Sequence, residues 1–146
     1  MAARTPKRLT QPISIHVTAD VRNLAEIRRF VEETATMLGI EAGLIPKLQL
    51  AVDEAATNII IHGYRGQAGL VEIEMQRNGA ELVIRLRDSA SPFDPTTVPP
   101  PDLTQQLERR IPGGLGIYLM RQAVDKLVYT PLAQGGNELS LIKKIA

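Results

Sequence analysis

The stretch LVEIEMQRNGAELVIRLRD, residues 70–88, leaves the chain few folds to choose from. Val71, Ile73 and Met75 alternate with Glu72, Glu74 and Gln76; after the turn, Leu82, Ile84 and Leu86 point one way and Arg85 and Arg87 the other. A period of two is that of a strand with one buried face. Asn78-Gly79 between the runs is the strongest short hairpin signal, because the favoured two-residue turn needs positive φ at both central positions. The chain therefore carries an antiparallel hairpin with one apolar face, and that face must be covered by another layer.

The flanking segments supply the cover. ISIHVTA, 13–19, reads as a further strand. Asp20, with Asn23 as the alternative cap, opens a helix that runs to about Leu38 and stops at Gly39, with Leu24, Ile27, Val31, Met37 and Leu38 partly fitting a helical stripe. Pro46 suits the first turn of a second helix, continuing to about His62, and HGYRGQAG is a glycine-rich break. Residues 89–114 hold Pro92, Pro95, Pro99, Pro100, Pro101 and Pro112, and read as a lid or binding loop with a short helix around 102–109. LGIYLMRQAVDKL, 115–127, reads as a third helix. VYT and NELSLIKKI read as strands, with QGG at 134–136 turning between them. The expected fold class is α+β: a two-layer sandwich of a mostly antiparallel sheet with helices on one face. Residues 1–12 read as a flexible basic arm and 13–146 as a single domain.

Composition removes several functions. At 146 residues and 44% hydrophobic the chain is long and apolar enough for one cored domain. Aromatics are 3%, so the core is Leu, Ile, Val and Ala, and no aromatic ladder exists for stacking bases. Seventeen Lys and Arg against sixteen Asp and Glu lack the basic footprint of a nucleic-acid binder. With no cysteine, disulfides and thiolate metal sites are excluded. No apolar run approaches the roughly 18 residues of a membrane span, and MAARTPKRLTQP lacks the apolar region of a secretory signal. A cytoplasmic protein is the expectation.

Four features carry possible chemistry. Glu54 and Asn58 lie one turn apart beside the Leu48, Val52, Ala55, Ile59 stripe of the second helix, either as a solvated flank or as a functional pair. Asp88 shares the parity of Leu82, Ile84 and Leu86, so it ends its strand on the inward face, either as a turn residue or as an acceptor for a ligand donor such as an exocyclic amine. GGLGIYLM, 113–120, is a glycine-led helix start, either a hinge for the lid or a set of backbone N–H groups for phosphate. His62, near a helix C-terminus, reads as structural.

In that order, these motifs resemble the GHKL ATP-binding superfamily, whose members include histidine kinases and gyrase-type ATPases. DEAATNIIIHGY is similar to its N box, DSASPFDP to its first glycine box and GGLGIYLM to its second. The short chain, the FDP after Asp88 and the ending GGNELSLIKKI resemble the bacterial anti-sigma-factor serine/threonine kinases. The resemblance covers about residues 13–144 and implies the histidine-kinase-like ATPase (Bergerat-type) fold. It implies ATP and Mg²⁺ as cofactors. It makes Glu54 the general base, Asn58 the Mg²⁺ ligand and Asp88 the acceptor of the adenine amine. Ala90 and Phe93 are among the nucleotide-binding positions it implies. Gly113, Gly114, Leu115 and Gly116 wrap the phosphates, and Arg109 or Arg110 reaches the γ-phosphate. Ala90 stands where the family has glycine; if that backbone needs positive φ, alanine costs on the order of 1–2 kcal/mol. The implied partners are a STAS-domain anti-anti-sigma protein, a sigma factor exchanged with it, and a second copy in a homodimer; neither nucleic acid nor membrane is among them. The alternatives are a non-catalytic nucleotide-binding module that sequesters its partner, and a switch kinase that acts on a STAS protein without binding a sigma factor.

Overall fold

The computed structural model describes residues 11–97 and 114–145. Five strands form one antiparallel sheet in the order β1-β2-β3-β5-β4. They are β1 Ile13–Thr18, β2 Leu70–Asn78, β3 Glu81–Asp88, β4 Lys126–Pro131 and β5 Asn137–Lys144. Three helices, α1 Leu24–Met37, α2 Ile45–Thr57 and α3 Gly114–Ala123, cover one face, with α2 between the other two. This is the expected two-layer α+β sandwich. The expected basic arm falls almost wholly, and the short helix around 102–109 wholly, outside the described residues.

The hairpin forms as its alternation demands, but its turn falls on Gly79-Ala80 and not on Asn78-Gly79: Asn78 pairs with Glu81 inside the ladder, and of these residues only Gly79 takes positive φ, 59°. Ile73 lies opposite Ile15 on one side and Leu86 on the other, and Ile84 lies opposite Leu141. Ile73, Met75, Leu82, Leu86 and Leu141 are fully buried beneath the helices. On the open face Arg87 bonds Glu72, Glu74 and Glu138, and Arg85 bonds Glu74 and Gln76. Opposite charges on facing strands thus pair off the side of the sheet that no helix among the described residues covers.

The helices depart from expectation at their ends, each for a local reason. Asp20 caps not α1 but a preceding 3₁₀ turn, accepting the Arg22 N–H at 2.8 Å. Asn23 donates instead to Thr18, at 2.9 Å to its carbonyl. Met37 is 74% exposed and lies off the buried stripe, where Ile27, Phe30, Val31 and Ala35 do the packing. The third helix stops at Ala123 and not at Leu127, because Asp125 already donates to the Ile142 carbonyl at 2.9 Å and draws the chain into the sheet. Leu127 is then a strand residue opposite Leu141.

The second helix holds the largest departure. It ends close to His62 as expected, but not as an α-helix: beyond Thr57 it widens into a π-helix, Asn58–Tyr64, and closes at Arg65 with φ 54°. The glycine-rich break begins only there. π-Turns are costly in hydrogen-bond geometry and recur at functional sites. Here the wider turn spans Asn58 and carries Gly63 and Tyr64 against the end of β3.

Candidate active site

Asn58 and Asp88 come from opposite layers and line one narrow pocket that opens to solvent. Its walls include Ala55 and Ile59 of the long helix, Met120 of α3, Phe93 and Pro95 after β3, and Tyr129 and Leu139 of the sheet. A mostly apolar cleft with a few convergent polar groups is the usual form of a small-molecule site.

Asn58 is buried at 8% exposure because the stripe beside it packs between α1 and α3. Its Nδ2 is the buried side-chain polar atom that has no hydrogen-bond partner among the described residues. Leaving such an atom unpaired costs about 1–3 kcal/mol, a cost that a ligand can relieve. A side-chain amide also offers a hard oxygen, and its O and N ends exchange by a simple flip. That fits a magnesium ion, which takes one or two protein oxygens and fills its remaining positions with water and phosphate. Among the described residues no group of three His, Cys, Asp or Glu forms a self-sufficient metal cage.

Glu54, one turn earlier, faces α3. A Cβ built on Gly116 would come within 2.6 Å of its Oε2, so the helix backbone lies directly on the carboxylate. Burial, then the negative charge of Asp53, raises the Glu54 pKa above its ordinary value. Asp53 itself is drawn outward by Arg28 at 2.8 Å. The pair is therefore no solvated flank: Asn58 faces the pocket and Glu54 meets the first turn of α3. The helix begins at Gly114, one residue before the expected start, and Gly116 is buried within its first turn. Leu115 is half-buried. Arg109, Arg110 and Gly113 lie outside the described residues.

Asp88 is 7% exposed at the inward tip of β3. Burial raises its pKa, against the opposing pull of hydrogen bonds from Asn137 and the Ala90 N–H. Both donors reach Oδ1, each at 2.9 Å. Asn137 is the direct partner of Asp88 in the β3–β5 register, and Tyr129 donates to its Oδ1 at 2.5 Å. Neither Asn137 nor Tyr129 was expected at the site. A signal existed for the first: Asn137 shares the inward parity of Leu139 and Leu141, as Asp88 shares that of Leu86.

Ala90 is not strained. Among the described non-glycine residues only Arg65 has positive φ. The alanine methyl is buried against Gly63, where an added Cβ would lie 3.1 Å away. The missing glycine of the first box is thus offset by a glycine on the π-helix. Next to it, the Tyr64 hydroxyl donates to the Leu70 carbonyl at 2.7 Å and accepts the Ser89 N–H at 2.8 Å, tying the helix end to both strands of the hairpin. Tyr64→Phe leaves both backbone groups without that partner and is expected to lower the unfolding free energy by about 1–3 kcal/mol. Urea denaturation measures it, and an unchanged midpoint would mean that water replaces the hydroxyl.

Comparison with known proteins identifies the family of this fold. The histidine-kinase-like ATPase domain family matches residues 17–143. The serine/threonine-protein kinase BtrW of Bordetella bronchiseptica is 32% identical over 95 residues, 64% of this chain and 66% of that protein. The serine-protein kinase RsbW of Bacillus cereus is 27% identical over 121 residues, covering 80% of this chain and 76% of its own length. The crystal structure of the RsbU and RsbW domains of a Mycobacterium tuberculosis protein superposes with a TM-score of 0.65 at 15% identity, over 93% of this chain and 32% of that one. The latter likeness concerns the fold, and the chain spans about a third of that larger protein. With the domain match running nearly end to end and named kinases among its relatives, the chain belongs to the histidine-kinase-like ATPase family and groups there with the protein serine/threonine kinases.

Proposed function

We propose that this protein serine/threonine kinase transfers the γ-phosphoryl group of ATP to a Ser or Thr of a STAS-domain anti-anti-sigma protein, and exchanges that partner for a sigma factor. The observation that carries the reading is the orphaned Asn58 amide in the same pocket as the inward carboxylate Asp88, with Glu54 one turn away. Asp88 accepts the amine of adenine and so selects it over an oxo-purine. Asn58 would hold Mg²⁺, which when bound neutralises and orients the phosphates. The first turn of α3, which lies against Glu54, would offer its N–H groups to the phosphates. Glu54 takes the proton from the attacking hydroxyl, and the remaining catalysis is positioning and charge neutralisation. By their place in the sequence, Arg109 or Arg110 would serve the γ-phosphate and Gly113 would join the phosphate-binding residues. The protein works in the cytoplasm as a homodimer. A sequestering module without catalysis would share the pocket but has no use for a base held against α3.

The test is incubation with ATP labelled on its γ-phosphate, Mg²⁺ and a candidate STAS protein. Label on the STAS serine or threonine, lost on chelation of the metal, is the expected result. Tight ATP binding with no transfer to any STAS partner would establish the sequestering module instead.

The raised Glu54 pKa sets a pH dependence. A base acts only when ionised, so transfer falls as pH drops through that raised value. The acid limb of the kcat profile is expected above the roughly 4.3 of a free Glu. Asp53→Asn removes a negative neighbour and should move the limb to lower pH; a limb that stays put would mean another group titrates.

A further inference from the structure

Asn137 makes more contacts than a strand-end residue needs. Its Oδ1 accepts from the Tyr129 hydroxyl at 2.5 Å and from the Phe93 N–H at 3.2 Å. A backbone N–H can only donate, so the oxygen end of the amide must face Phe93, and the flip is settled. The NH₂ end is thereby turned onto Asp88 Oδ1 at 2.9 Å, with the Ala90 and Ser91 carbonyls at 3.3 and 3.2 Å. Asp88 Oδ1 also takes the Ala90 N–H. Two donors therefore occupy one oxygen, and Oδ2 accepts no hydrogen bond from the described residues. The carboxylate is left with a single open acceptor in a pocket lined by Asp88, Phe93 and Tyr129.

We infer that Asn137, held by Tyr129, is a specificity-determining positioning residue: by engaging one oxygen of Asp88 it aims the other at the exocyclic amine of the base. This rests on reading the pocket as an adenine-nucleotide site. Without the Asn137 amide, the Asp88 side chain is free to rotate, and either oxygen or neither faces the ligand. The effect falls on the choice of base and not on the triphosphate, which Asn137 does not approach.

ATP and ITP separate the two contributions, since they share the triphosphate and ribose and differ only on the Watson–Crick edge, where the 6-amine and bare N1 of adenine become a 6-carbonyl and an N1–H. Dissociation constants of both, with Mg²⁺, are measured for the wild type, Asn137→Ala and Tyr129→Phe. The wild type should prefer ATP by about a hundredfold or more, as sites built to bond a polar group do. Asn137→Ala should cut that preference about tenfold, the size of one charge-assisted hydrogen bond. Tyr129→Phe, which keeps the ring in place, should cut it about threefold. ITP affinity should stay within about twofold in both. A wild type that does not discriminate overturns the adenine reading itself. A discriminating wild type whose variants keep the full ratio, or lose ATP and ITP equally, overturns the role given to Asn137 and leaves the pocket assignment standing.

Discussion

Glu54→Gln is expected to lower the rate of phosphoryl transfer by about 10²–10⁴-fold, the usual contribution of a general base. Glutamine keeps the shape that packs on Gly116 but cannot take a proton. ATP binding should stay within a few fold, because Asn58 and Asp88 line the pocket and Glu54 does not. Stability should hold or rise. Burial and Asp53 disfavour the ionised form of Glu54 in the folded protein, so ionisation opposes folding at neutral pH, and a neutral amide removes that opposition. Single-turnover transfer and nucleotide titration on one preparation check the split. A variant that transfers phosphate at the wild-type rate would remove Glu54 from the reaction.

Gly116→Ala should come close to that effect with no change at any ionisable group. The new methyl would lie 2.6 Å from the Glu54 Oε2, well inside contact distance. The atom it strikes is the end of a flexible side chain, so the carboxylate moves and the helix stays. Alanine is also the better helix former by up to about 1 kcal/mol. The fold is therefore expected to survive, with an unfolding temperature equal to or above that of wild type, while transfer falls about 10²-fold, as a displacement of about 1 Å at a reacting group can cause. In the Glu54→Gln background the same substitution should add little, since both act through one base. Full additivity of the two losses would mean that Gly116 acts on the phosphates independently of Glu54.

Much of the scaffold was legible because its signals are local. Period-two alternation, with Gly79 in the turn, defines the hairpin from a single stretch of chain, and Pro46 marks a helix start. The ends of α2 and α3 were not legible. The apolar run from Asn58 to Tyr64 suits an α-helix and a π-helix equally, and Leu127 fits either a helical stripe or a strand face. What decides each is a distant group: the Leu70 carbonyl and Ser89 N–H for Tyr64, and the Ile142 carbonyl for Asp125.

The site divides in the same way. Glu54, Asn58 and Asp88 could be nominated from residue type, spacing and parity, because a carboxylate or amide beside an apolar stripe is costly without a purpose. Sequence alone thus determined the layer architecture and the polar residues set among its core positions. Only the tertiary structure decided that Asn137 and Tyr129 join Asp88 in lining the pocket, that Gly63 makes room for Ala90, and that Gly116 lies on Glu54. The physical reason is distance along the chain. Alternation and helical period are properties of neighbouring residues, whereas a hydrogen bond between positions 88 and 137, or a missing Cβ at 116 beside a carboxylate at 54, exists only once the sheet register and the packing of α2 on α3 are set.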